Sequence, residues 1–137
     1  MSNIVGQKGV MCLKTALDFY GLTTQNHWRY HIAFPQNYGT VNLPDYPPAR
    51  IFYFSEEQYQ TGIEEKETAG NIVKIYDIEK TICDCFRLRN KIGIEPAQEA
   101  LKEYVEMKGA NISKLVQYAK KTRIESVVKK YLNGLLI

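Results

Sequence analysis

Lys80, Asp84, Arg87 and Lys91 recur at spacings of three and four residues, which places one carboxylate among three cations on one side of a helix. Such a set reads first as a solvated face laced by pairs, Lys80 with Asp84 and Asp84 with Arg87. The alternative is a grip on a phosphate-bearing ligand. Asp84 makes a poor general base, because two neighbouring cations keep a carboxylate ionised. Arg89 breaks the pattern. Stepping i, i+4, i+7, i+11 from Ile78 puts it among Ile78, Ile82, Cys85 and Phe86, the apolar side of the same helix. An arginine keeps its charge, so an inward one has three options. It pins the helix end, snorkels to water, or faces a cleft that takes phosphate or carboxylate. No Walker loop or nucleophile elbow occurs, so no residue is assigned a catalytic role, and neither a metal-ligand spacing nor a cofactor motif is present.

The element that must position these groups is a helix from Asp77 to Gly93. Asp77 suits the N-cap, and Glu79 in the first turn complements the helix dipole. Arg87, Arg89 and Lys91 bring positive charge to the last turns, and Gly93 can take the positive φ that ends a helix.

The rest of the chain supplies a frame. Val10 to Tyr20 reads as a buried helix stopped by Gly21. His27 to Phe34 alternates as a half-buried strand, with Trp28, Tyr30, Ile32 and Phe34 inward and His27, Arg29 and His31 on the wet side. A long loop over residues 36–49, with room for a short strand near Val41, leads to a second strand, Arg50 to Phe54. Ser55 to Gln58 fits a capping box. Ile63–Glu67 and Ile72–Tyr76 form a hairpin across Ala69-Gly70-Asn71. Three amphipathic helices close the chain. Pro96 sits at the start of the first and Gly109 ends it, Asn111 caps the second, and Thr122-x-x-Glu125 caps the third, which Gly134 closes. The expected fold is α+β: a small, mostly antiparallel sheet of about four strands, a C-terminal helical layer and one buried N-terminal helix, in a single domain over residues 1–137.

The run V-K-I-Y-D-I-E-K-T-I-C-D-C-F-R-L-R-N-K-I-G resembles the C-terminal domain of the AbiEi family. The matching positions are Tyr76, Asp77, Lys80, Thr81, Asp84, Arg89, Asn90, Lys91 and Gly93. Looser matches are Ala16 to Leu22, Gly62-Ile63, Glu99 to Leu101, and Tyr118-Ala119-Lys120 with Arg123. AbiEi-family proteins are antitoxins and transcriptional regulators of type IV toxin–antitoxin, or abortive-infection, systems used in phage defence. The resemblance implies a cytoplasmic antitoxin-type domain. Its partner would be a nucleotidyltransferase-like toxin, counteracted without need of a stable complex. Only the second domain is matched, so the N-terminal winged helix-turn-helix is expected to be absent, and DNA is a partner only where such a domain is present elsewhere. Ligand or partner binding is expected at Lys80, Asp84, Arg87, Arg89, Asn90 and Lys91. Two other classes stay open: an enzyme acting on nucleotides or nucleic-acid ends, and an interaction module of a DNA-bound repressor.

Charge adds a weaker candidate surface. Residues 1–68 carry five Lys/Arg against seven Asp/Glu, and residues 69–137 carry thirteen against eight, so the halves stand at −2 and +5. The late surplus lies largely in Lys120, Lys121, Arg123, Lys129 and Lys130. That set reads as a solvated face, or as a supplementary phosphate patch for nucleic acid. No apolar run approaches the ~20 residues that span a bilayer, so no membrane association is expected. The N-terminal M-S-N-I-V-G-Q-K lacks a signal-peptide core. The three cysteines read as reduced thiols, since Cys83 and Cys85 point to different sides of one helix. His27 and His31 do not make a metal site.

Overall fold

The computed structural model describes residues 8–23, 29–36 and 48–136. His27, Trp28, the segment around Val41 and the first seven residues lie outside them. Among the described residues the chain runs β1 (Val10–Met11), α1 (Leu13–Phe19), β2 (Tyr30–Pro35), β3 (Ala49–Phe54), α2 (Glu56–Gln60), β4 (Ile63–Thr68), β5 (Asn71–Tyr76), α3 (Ile78–Arg87), α4 (Arg89–Ile92), α5 (Glu95–Val105), α6 (Ile112–Lys121) and α7 (Glu125–Leu136).

The α+β class holds, but the sheet is five-stranded and mixed, in the order β3-β2-β1-β5-β4. β1 pairs antiparallel with β2 and parallel with β5, β2 runs parallel to β3, and β4 and β5 form the expected antiparallel hairpin. β1 sits at the centre of the sheet on residues read as the start of a helix. Two residues are too few to show a strand period, and their neighbours decide their state. The helix therefore begins only at Leu13, and it ends at Gly21, where φ is +72° and Leu22 N–H donates to Leu17 O at 2.9 Å.

Alternation along the strand predicts a wet His31, and the structure buries it. It is 6% exposed and faces α1: Lys14 N–H donates to its Nδ1 at 3.3 Å, and its own N–H donates to Thr15 Oγ1 at 2.7 Å. β2 is an inner strand, so both of its faces are covered and alternation does not separate wet from dry. The helix-side core holds Val10, Ala33, Phe52 and Tyr76, while Ile32 and Phe34 form a second cluster with Ala49 and Ile51.

The helical layer follows the expected caps in part. Ser55 Oγ accepts from Gln58 N–H and Asn111 Oδ1 from Lys114 N–H. Thr122, read as an N-cap, instead closes α6. Its hydroxyl donates to Tyr118 O at 2.8 Å, Arg123 takes φ +64°, and Ile124 N–H reaches Ala119 O at 2.8 Å. That is the Schellman arrangement, with arginine in the place glycine usually holds. α5 stops at Val105, ahead of Gly109, and α7 runs through Gly134 to Leu136.

Candidate functional site

α3 lies at the centre of the molecule. It contacts α1, α5, α6 and α7, and Glu79 to Phe86 are all buried. Asp77 starts it as expected: Oδ1 accepts from Lys80 N–H at 2.9 Å. The approach of β4 to this first turn depends on Gly62. Its φ is +82°, Asp77 N–H donates to its carbonyl at 2.9 Å, and a Cβ there would lie 2.7 Å from Lys80 Cβ.

The polar stripe is not a solvated face. Lys80 and Asp84 are both 0% exposed. Lys80 Nζ meets Asp84 Oδ2 at 2.7 Å, and Arg87 Nη2 meets Asp84 Oδ1 at 2.9 Å. The ammonium lies 3.9 Å from the centre of the Tyr76 ring and 4.9 Å from that of Phe54. Burial pulls the Lys80 pKa below its ordinary value, with Asp84 opposing. The spacing was right about which residues pair. It was wrong about where, because a helix packed among α1, α5, α6 and α7 has no wet side. Arg87 is 15% exposed at its side chain and lies over Phe54, 4.5 Å from the ring centre. Its buried Nε has no hydrogen-bond partner among the described residues.

Arg89 does not point into an apolar stripe. Leu88 leaves helical geometry at φ −105°, ψ 24°, and α4 restarts the turn, so the 100° extrapolation fails at that residue. Arg89 is half-buried, and Nη1 donates to Phe86 O at 2.7 Å, pinning the carboxyl end of α3. Asn90 and Lys91 are exposed. Gly93 ends α4 at φ +87°.

A second network closes the amino end of α3. Asp77 Oδ2 accepts from Tyr118 Oη–H at 3.0 Å and lies 3.4 Å from Lys114 Nζ, while Glu79 lies 3.5 Å from the same ammonium and 2.6 Å from Tyr104 Oη. Burial raises the Asp77 pKa, opposed by the Lys80 N–H, Tyr118 and Lys114, and it pushes the Tyr118 hydroxyl up to about 12. A carboxyl raised in the folded state binds more protons folded than unfolded, so Asp77 favours folding most at low pH and less as pH climbs through its folded value. Asp77→Asn keeps the capping oxygen and removes this dependence. Relative to the parent it should gain stability between about pH 4 and about pH 7. Urea unfolding at both pH values checks this, and a variant losing ground over that interval contradicts it.

Cys12, Cys83 and Cys85 are buried, and desolvation raises each thiol well above its ordinary value, so none is a ready nucleophile. Among the described residues no three His, Cys, Asp or Glu side chains form a metal-binding group, and no helix is long and apolar enough to cross a membrane. The late basic set is partly neutralised within itself. Glu125 takes Lys129 at 2.9 Å and Lys120 at 3.7 Å, while Lys121, Arg123 and Lys130 are exposed.

One cation escaped the sequence reading. Arg50 follows the long loop, and the sequence pattern marks it only as the first residue of a strand. Its guanidinium stacks over Phe52, 4.8 Å from the ring centre, and Nη1 reaches Lys91 O at 3.4 Å, tying β3 to α4. The alternation Arg50, Phe52, Phe54 on an edge strand was its only signal. The chain matches no family model, and no curated protein matches it.

Proposed function

We propose that this chain is an antitoxin-type domain, working in the cytoplasm against a nucleotidyltransferase-like toxin of an abortive-infection system, and normally joined to a transcriptional regulator. One observation carries the reading. The residues behind the AbiEi resemblance hold the centre of this fold: Asp77 caps α3, Lys80 and Asp84 pair inside it, Gly62 admits β4, and Tyr118 reaches back to Asp77. A fully buried Lys–Asp pair is costly to desolvate, so a motif that supplies both members and the cap is more specific than an apolar periodicity. The same observation divides labour within the motif. Lys80 and Asp84 serve the fold, and the accessible positions, Arg89, Asn90 and Lys91 with the edge of Arg87, are left for a partner.

Growth rescue tests the reading. The chain is co-expressed with the toxin, beside the variant Arg89→Ala/Asn90→Ala/Lys91→Ala. The expected result is growth restored by the parent and weakened in the variant, with both proteins soluble. A soluble parent chain that restores no growth overturns it.

A further inference from the structure

α5 packs against α7, and a cavity of about 350 Å³ opens between them. Its lining is mostly apolar, supplied by the fully buried Leu101, by Tyr131 and by Leu135. Tyr131 packs on Phe86 of α3, ring centres 5.2 Å apart, so that wall is fixed, while Leu135 is 39% exposed. Gly134, inside α7, lines the cavity as well. Glycine weakens a helix relative to alanine. Here no positive φ calls for it, and an added Cβ would meet nothing within 4 Å. The missing side chain therefore serves the cavity, leaving open a space that a larger residue would fill.

The charged residues of the lining are both cations, Lys102 of α5 and Lys130 of α7. Neither is in an ion pair among the described residues. Lys130 Nζ stands 5.9 Å from the centre of the Tyr131 ring, which keeps this charge beside the apolar wall. Glu99 and Glu103, the acids nearest to Lys102 along α5, line a separate hollow with Gly21 and Leu22 instead.

We propose that this cavity binds a free aliphatic carboxylate of medium length, its chain along Leu101, Tyr131 and Leu135 and its head at Lys102 and Lys130. Each half of the lining suits one half of that ligand. An apolar chain gains by leaving water. A carboxylate accepts hydrogen bonds from ammonium groups that lack an acid of their own. An inorganic anion leaves the apolar part unused, and a neutral oil leaves the two cations unanswered. The volume is at the small end of ligand sites, about 300–1,000 Å³, which fits one short chain.

Isothermal titration calorimetry of the full chain with octanoate tests the proposal. Octanoate should bind saturably, one molecule per chain. Butanoate, four methylenes shorter, should bind at least about thirtyfold more weakly, since each buried methylene adds affinity. 1-Octanol, with the chain but no charge, should bind about fivefold more weakly, as should octanoate to Lys102→Gln/Lys130→Gln. Lys121→Gln, at an exposed cation of α6, should leave affinity within about twofold. Gly134→Leu should abolish binding yet melt no lower than the parent, because its side chain fills the cavity and the helix loses a glycine. The proposal is overturned by absent saturable binding, by 1-octanol binding as tightly as octanoate, by Lys121→Gln weakening binding as much as the cavity pair, or by a folded Gly134→Leu that keeps full affinity. Sedimentation of the ligand-free chain adds one more outcome: a dimer that Gly134→Leu breaks assigns the cavity to a second copy and overturns it too. None of these readouts involves the toxin, so growth rescue stays independent.

Discussion

Asp84→Ala should destabilise the protein by about 3–5 kcal/mol, the usual consequence of removing one member of a buried ion pair. The carboxylate is fully buried and serves two cations, Lys80 at 2.7 Å and Arg87 at 2.9 Å. Arg87 keeps some access to water and can turn outward. Lys80 cannot, because it is 0% exposed between the Tyr76 and Phe54 rings. The lone ammonium must then lose its proton or open the interface between α3 and the sheet. Against a total stability of about 5–15 kcal/mol, such a loss depletes the folded population at ordinary temperature. Equilibrium denaturation reads it directly, and a change under about 1 kcal/mol would mean that Asp84 is not the buried counter-ion described.

Gly62→Ala should cost about 2–4 kcal/mol, combining a positive φ with overpacking. Two independent features of the position converge. Its φ of +82° disfavours any side chain, and the new methyl would meet Lys80 Cβ at 2.7 Å and Asp77 Oδ1 at 3.1 Å. The obstacle is the Cβ of a residue locked in α3, which has no rotamer to yield. Relief requires β4 to move away from α3, which breaks the bond from Asp77 N–H to Gly62 O. Gly70 is the internal control. Its φ is +79° with nothing within 4 Å, so Gly70→Ala carries only the backbone part of the cost, about 1–2 kcal/mol. Thermal melts of the pair should separate clearly, and equal melts would show that Gly62 is not in close contact with α3.

Much of the scaffold is legible in the sequence where a local rule acts alone. The Asp77 and Asn111 caps, the Ala69-Gly70-Asn71 hairpin and the stop at Gly21 each depend on one residue type doing what its chemistry allows. The sequence reading goes wrong where the third dimension decides. Val10–Met11 becomes a strand because β2 and β5 flank it, and His31 turns dry because α1 covers it. The candidate site shows the same division. The i,i+4 rule identifies Lys80 with Asp84 as a pair, yet periodicity presumes that one side of a helix is wet. Placing the pair indoors needs knowledge that α5, α6 and α7 fold back over α3. Arg89 misleads for a related reason: a single non-helical residue at Leu88 resets the angular count. Arg50 stayed hidden because its partner Lys91 is distant in sequence and meets it only where α4 reaches β3.

The division of the motif into a buried pair that holds the fold and an outer edge that meets partners is tested most directly by the unfolding free energy of Lys80→Met/Asp84→Leu beside its two single variants. A pair whose attraction is offset by desolvation should be replaceable by apolar residues of similar size. The double variant should therefore stay within about 1–2 kcal/mol of the parent, while Lys80→Met and Asp84→Leu alone each lose about 3–5 kcal/mol. Single variants that cost little, or a double variant whose loss is the sum of the two, would contradict the burial and mutual commitment of these side chains.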